Sequence, residues 1–492
     1  MRALAVFYIL GWLLAVSATA MLIPAAFAVA LDPVAVVEAF LFPAVVIGFV
    51  GVNMLIAFRG QEYIGGRRQS VFLLASVWLM VPLAGALPLY AAGFPEEFVP
   101  AFFEAASGFT TTGATVIVDL ASVPSAIIVW RAVLQWMGGL ATLLILATVL
   151  GPLVGGDLLD RQFRLVARSE QRSPRQLAET GRTIFLIYGS LTVLCFLSLL
   201  LSGLPAFDAF CLSLSTVSTG GFMPREGTIA LYGSSMVEIV LAVFMVLGAV
   251  SIVWVQAVIF GRWTLVKEMR EPFLIGLFVL VLGVALAVAL LQESPITGIS
   301  SLFDAIALGL ASAASLISTS GFMVSERAHS FIPFMLVLAI CVVGGGGFST
   351  AGGLKVHRVW AMFRQLGREL RLLVYPHGVR PSAYGGESRE LPDHITTELE
   401  FMHFLTFREV ALLQGGQDRV PYLRAQRDFL QRHLARWVPQ VRAQAEQQKA
   451  APFFLGLIGL AEAFLLADLS YAASLAGPAP VGQPPEALTG GA

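Results

Sequence analysis

Seven stretches of this chain are apolar over about the length a helix needs to cross a hydrocarbon core, roughly 20 residues. They lie near 3–30, 34–58, 71–93, 126–152, 183–204, 236–260 and 272–291, and an eighth, 331–343, is too short to span. A backbone in lipid must satisfy its own N–H and C=O groups, and a helix does so within one segment. The expected fold class is therefore all-α, a polytopic membrane protein with about eight spans. Composition agrees, with 57% hydrophobic and 13% charged residues. The first apolar run is much longer than the roughly 7–15 residues of a signal-peptide core, so it reads as a span.

Basic residues orient the spans. Arg59, Arg67 and Arg68 follow the second, six arginines from Arg161 to Arg182 follow the fourth, and Arg262, Lys267 and Arg270 follow the sixth. These connections are expected in the cytoplasm, with the N-terminus. The other long connections, 94–125, 205–235 and 292–330, are poor in basic residues and fall outside. Arg131 is the one cation well within a span, and snorkelling to the outer interface is the expectation for it, ahead of a role in transport. Cys195, Cys211 and Cys341 have neither paired nor metal-like spacing. A net charge of -1 gives no sign of a nucleic-acid partner.

Each outer connection is too long for a tight loop and too short to leave and return as a full span, which fits a re-entrant hairpin. One pattern recurs in all three: "SGFTTTG" at 107–113, "STVSTGG" at 215–221 and "SLISTSG" at 315–321. Gly113, Gly221 and Gly321 are spaced 108 and 100 residues apart. A single Ser/Thr/Gly run reads as an ordinary turn. Three copies on the same side, each after an apolar helix-compatible stretch and before a span, read as a repeated unit. Non-helical backbone at membrane depth is tolerated where it lines a cavity. A cation filter is such a cavity: glycine lets carbonyls face one axis, and Thr and Ser add hydroxyl oxygens. The preceding short helix directs its partly negative carbonyl end at the ion. Neutral oxygens suit potassium, and the loops carry no Asp or Glu ring of the kind a divalent ion would want.

With these motifs, residues 1 to about 388 resemble the TrkH/KtrB family of potassium-transporter pore subunits, in which two leading helices precede four helix/pore-helix/filter/helix repeats. The resemblance implies K+ as the transported ion, with no bound cofactor, no enzyme activity and no metal other than potassium. It implies filter residues Thr110, Thr111, Thr112 and Gly113; Ser218, Thr219, Gly220 and Gly221; and Ser318, Thr319, Ser320 and Gly321. The stretch "GGGGFSTAGGLK" fits a phosphate loop poorly, since no strand precedes it and the Walker ending is absent. In the family its equivalent breaks a helix and gates the pore. That implies flexible backbone from Gly344, Gly345, Gly346, Gly347, Gly352 and Gly353, hydroxyls from Ser349 and Thr350, and a charge from Lys355 near the cytoplasmic mouth. The resemblance further implies a plasma (inner) membrane location among lipid, a homodimer, and a cytoplasmic TrkA-like nucleotide-binding regulatory subunit.

The expected organisation is a leading hairpin (1–70), repeats at 71–156, 183–261 and 272–375, a linker (376–390), a soluble helical segment (391–476) and a disordered tail (477–492). No fourth filter motif follows residue 376, so a three-loop filter would leave one side of the ion open. The segment "PFFLGLIGLAEAFLLADL" contains Glu462 and reads as an amphipathic helix in a soluble bundle. "PDH" at 392–394, "ELEFM" at 398–402, "FL" at 429–430, "HLARWVP" at 433–439 and "PFF" at 452–454 resemble the C-terminal part of the TorD/DmsD chaperones. Two further readings follow: a membrane-anchored leader-peptide binding module, or a non-functional fusion joined near 388.

Overall fold

The computed structural model describes residues 4–60, 67–147, 174–293, 299–374, 395–448 and 450–476. The expected linker, the "PDH" residues, the tail and the arginines from Arg161 to Arg172 lie outside the described residues. Two compact units emerge, residues 1–367 and 368–492.

Among the described residues every regular element is helical. The leading hairpin is α1 (Leu4–Ala20) and α2 (Leu22–Leu31), one nearly continuous span, followed by α3 (Val34–Ala57). Three units follow. The first is α4 (Arg67–Ala91), α5 (Phe98–Phe109) and α6 (Ser125–Ile145). The second is α7 (Pro174–Leu201), α8 (Ala206–Val217), α9 (Ser235–Ala249) and α10 (Ile252–Ile259), which leads into the short α11 (Trp263–Glu268). The third is α12 (Glu271–Glu293), α13 (Ile299–Ile317), the short α14 (Glu326–Ser330), α15 (Phe334–Val343) and α16 (Val356–Val374). The three re-entrant helices expected from the outer connections are α5, α8 and α13.

Two expectations about the spans need correction. The apolar run 236–260 is not one straight span: α9 and α10 are bent by 106° at Val250–Ser251. The break is held from outside, because the Ile252 N–H donates to the Phe348 carbonyl at 3.0 Å. Arg131 does not snorkel. It is only 2% exposed and bonds Glu104 at 2.7 Å inside the protein, because the re-entrant α5 brings a buried carboxylate to it.

Close helix approach sets the unit geometry. A Cβ added at Gly138 of α6 would lie 1.8 Å from the Phe109 carbonyl oxygen at the end of α5. Gly248 holds the same place along α9 and meets the Val217 carbonyl of α8, where an added Cβ would lie at 3.0 Å. Around these crossings Trp130, Phe40, Phe109 and Tyr188 are fully buried, and the Trp130 indole N–H donates to the Gly85 carbonyl at 2.9 Å.

The second unit holds α17 (Ile395–Gln414), α18 (Val420–Arg432), α19 (Leu434–Gln447) and α20 (Pro452–Ala476). Leu430, Leu434, Val438, Met402, Leu405 and Leu465 form its core. Here α20 departs from the expected amphipathic helix. It is 25 continuous residues, long and apolar enough to cross a membrane, with Phe453, Leu460 and Phe464 exposed. Glu462, the residue that argued against a span, accepts a bond from Arg442 Nη1 at 3.0 Å.

Gly138→Ala should push α6 off α5 and cost about 1–3 kcal/mol by overpacking. A lowered thermal unfolding midpoint of the detergent-solubilised protein is the check.

Candidate functional site: three repeated turns and a docked loop

Each re-entrant helix ends in the same turn. In the first, the N–H groups of Thr110, Thr111 and Thr112 donate to the carbonyls of Ala106, Gly108 and Ser107 at 2.8, 3.0 and 2.9 Å. In the second, Ser218, Thr219 and Gly220 donate to Leu214, Thr216 and Ser215 at 3.3, 3.0 and 2.9 Å. In the third, Ser318, Thr319 and Ser320 donate to Ala314, Leu316 and Ser315 at 2.9, 3.1 and 3.1 Å. This is the Schellman closure, which places the residue after the C-cap in the left-handed region and usually puts glycine there. Here threonine occupies it, with φ of 55° at Thr111, 54° at Thr219 and 55° at Thr319. A β-branched residue in that region stores about 1–3 kcal/mol of strain. Two residues on, Gly113, Gly221 and Gly321 also have positive φ, at 78°, 83° and 73°. Triplicate strain in one register marks a built site.

The loops meet in chain order. A Cβ at Gly113 would lie 2.2 Å from the Gly220 carbonyl oxygen, and one at Gly221 would lie 1.9 Å from that of Ser320. Each carbonyl thus sits against the glycine of the preceding loop. The series stops at Gly321, which has nothing within 4 Å on that side. Ser218, Thr219, Gly220, Ser318 and Ser320 are buried, whereas Thr110, Thr112 and Gly321 are exposed. Beyond the turns, the exit of the second loop ties the other two. The Ile229 and Ala230 N–H groups donate to the carbonyls of Met323 and Val324, both at 3.0 Å, and the Glu226 carboxylate accepts from the Leu120 N–H at 2.8 Å.

The glycine-rich stretch does break a helix, as expected: α15 ends at Gly344, with φ of 67°. Its glycines serve close packing more than looseness. Gly344 to Ala351 are buried, and a Cβ at Gly344 would lie 2.1 Å from the Gly352 carbonyl oxygen. The loop docks on the second and third repeats. Thr350 Oγ1 donates to the carbonyls of Gly248 at 3.0 Å and Val217 at 3.2 Å, and the Gly346 N–H donates to the Ala249 carbonyl at 2.8 Å. The Gly352 N–H donates to Thr319 Oγ1 at 2.6 Å, so a strained left-handed threonine bonds the loop directly. Ser349 Oγ turns inward to the Gly346 carbonyl at 2.6 Å, and Lys355 Nζ donates back to the Ala351 carbonyl.

Several residues of the site were not foreseen from sequence. Glu271, at the start of α12 and 7% exposed, accepts the Gly347 N–H at 3.0 Å, with His357 Nδ1 at 3.2 Å from the same oxygen. Gln135 Oε1 accepts from Ser215 Oγ at 2.7 Å and from the Phe222 N–H at 3.3 Å, holding the second loop. Asp208, wholly buried, pairs with Arg225 at 2.7 Å. The available signal was a polar or charged residue inside an apolar segment.

Residues 49–436 match the family model of TrkH, described as a cation transport protein. The chain belongs to the TrkH family. It is 32% identical over 342 residues to the Trk system potassium uptake protein TrkH of Salmonella typhimurium, covering 67% of this chain and 68% of that one. The TrkH protein of Vibrio parahaemolyticus is 32% identical over 394 residues, 79% of this chain and 80% of its own. The crystal structure of the potassium transporter TrkH from Vibrio parahaemolyticus superimposes with a TM-score of 0.66 at 28% identity, covering 86% of this chain and 88% of that chain. The TrkH model runs past residue 388, through α17 and α18, which the chaperone resemblance had claimed. The family is one of transporters, not enzymes, and among the described residues no His/Cys/Asp/Glu group could hold a resident metal.

Thr350→Val should remove the bonds of that side chain to the Val217 and Gly248 carbonyls, about 1–3 kcal/mol of docking. Hydrogen exchange of the Gly346 and Thr350 amides should then speed up about tenfold or more.

Proposed function

We propose that this chain moves potassium ions across the plasma membrane through the filter built by Thr110–Gly113, Ser218–Gly221 and Ser318–Gly321. The observation that carries the reading is the strained turn found three times in one register, with the Gly220 and Ser320 carbonyls set against Gly113 and Gly221. Such a turn keeps carbonyl oxygens from pairing within a helix and leaves them to replace the hydration shell of a monovalent cation. The short helices aim their negative ends at the same place. The glycine-rich loop from Gly344 to Lys355 is the gate. It shares bonds with Val217, Gly248 and Thr319, so its release would alter the filter units it touches.

The N-terminus is cytoplasmic in this reading, on the charge pattern of Arg59, Arg262, Lys267 and Arg270. A homodimer and a TrkA-like nucleotide-binding regulatory subunit are proposed on the family resemblance. The filter has three loops in this chain. In support, among the described residues no fourth left-handed threonine is followed two residues on by a left-handed glycine, and Gly321 is open on the side where a further carbonyl would stand. The chaperone alternative is not favoured, because the TrkH match continues through the "ELEFM" residues and into "HLARWVP".

Rubidium uptake by a bacterial strain stripped of its own potassium systems is the direct test. The chain should restore uptake. Gly221→Ala, whose new methyl would collide with the Ser320 carbonyl at 1.9 Å, should abolish it while the protein still reaches the membrane. A Gly221→Ala variant with uptake equal to the parent would overturn the assignment.

A further inference from the structure

The first two filter loops share a buried ion pair that the second and third do not. Arg131 on α6 is 2% exposed and Glu104 on α5 is fully buried. Arg131 Nε donates to Glu104 Oε1 at 2.7 Å. Thr115 Oγ1 lies 2.9 and 3.1 Å from the two carboxylate oxygens, and the Val116 N–H donates to Oε2 at 3.0 Å. Arg131 Nη2 reaches Thr115 Oγ1 at 3.2 Å, and the guanidinium carbon sits 4.1 Å from the centre of the Phe222 ring. Thr115 and Val116 lie just past Gly113, and Phe222 directly follows Gly221. One ion pair therefore grips the exits of two filter loops.

Stability does not account for its presence. A buried pair costs desolvation and is often matched or bettered by apolar residues of similar size. This protein contains the comparison within itself. Counted back from Thr219, the place of Glu104 is taken by Leu212, and counted from the start of α9, the place of Arg131 is taken by Leu241. Both leucines are fully buried in one core cluster. The next polar contact down α6 differs likewise: where Gln135 holds Ser215 and Phe222, α9 has Met245, whose sulfur accepts from Ser320 Oγ at 3.1 Å. The fold closes one unit with Leu–Leu and Met, and the other with Glu–Arg and Gln.

We propose that Glu104 and Arg131 are positioning residues that fix the separation of the first two filter loops and, through it, the preference of the filter for potassium over sodium. The inference rests on the proposed function. Thr115 and Val116 are held by directional bonds, and Phe222 lies between the guanidinium and the Gln135 carbonyl that takes its N–H. A leucine pair fills the same volume but directs none of these groups, so the loop exits can close round a smaller ion.

The test uses the purified full-length chain in detergent, with its thermal unfolding midpoint titrated by KCl and by NaCl at constant ionic strength. The parent should respond to potassium at lower concentration than to sodium. Glu104→Leu/Arg131→Leu, which copies the second unit, should keep an ion-free midpoint near the parent's and lose about tenfold in the potassium-to-sodium ratio. Arg131→Lys keeps the charge but loses the contacts with Thr115 and Phe222; it should lose part of that ratio, and serves where the double variant does not reach the membrane. A parental ratio in the double variant, or in Arg131→Lys where that variant is used, would overturn the inference and leave the proposed function standing. A parent that responds to neither ion would overturn both.

Discussion

A carbonyl at membrane depth must find a partner, and in this protein three sets of carbonyls are prevented from finding one within a helix. The left-handed threonines Thr111, Thr219 and Thr319 end α5, α8 and α13 abruptly and turn the chain outward. Everything around them serves to hold that costly conformation. Gly138 and Gly248 let the following helices press on the ends of the re-entrant ones. Gln135 and Met245, at the same place along their helices, each grip the next loop in the series.

The glycine-rich loop completes the arrangement by bonding to the filter units themselves. Thr350 ties it to the second unit through two carbonyls, and Gly352 ties it to the third through Thr319. Glu271 anchors its middle through the Gly347 N–H. These directional bonds, with glycines packed without side-chain bulk, seat the loop as one piece. The proposed gating would require its release as a piece.

Much of this was legible in the sequence, for reasons that can be stated residue by residue. Helical spans followed from the length of apolar runs, and the places of the three repeated turns followed from a Ser/Thr/Gly pattern in triplicate. Other features were hidden because they depend on contacts far apart in the chain. The bend at Val250–Ser251 needs the Phe348 carbonyl, which lies in another repeat. Arg131 resembles a snorkelling residue until α5 re-enters and brings Glu104 beside it. Gly344 to Gly347 looked like slack, and their role as contact surface needed the packed neighbours Gly352, Ala351 and Ala249. In the second unit, Glu462 counted against a span because its partner Arg442 sits on another helix.

In the proposed function the three turns jointly hold a dehydrated monovalent cation. Crystals of the full chain grown in rubidium salts would test it most directly, through anomalous scattering from the ion. Density is expected between the loops at Thr110–Gly113, Ser218–Gly221 and Ser318–Gly321, within coordination distance of their carbonyl oxygens and displaced by excess potassium. Well-ordered loops of this same geometry with no rubidium between them would contradict it.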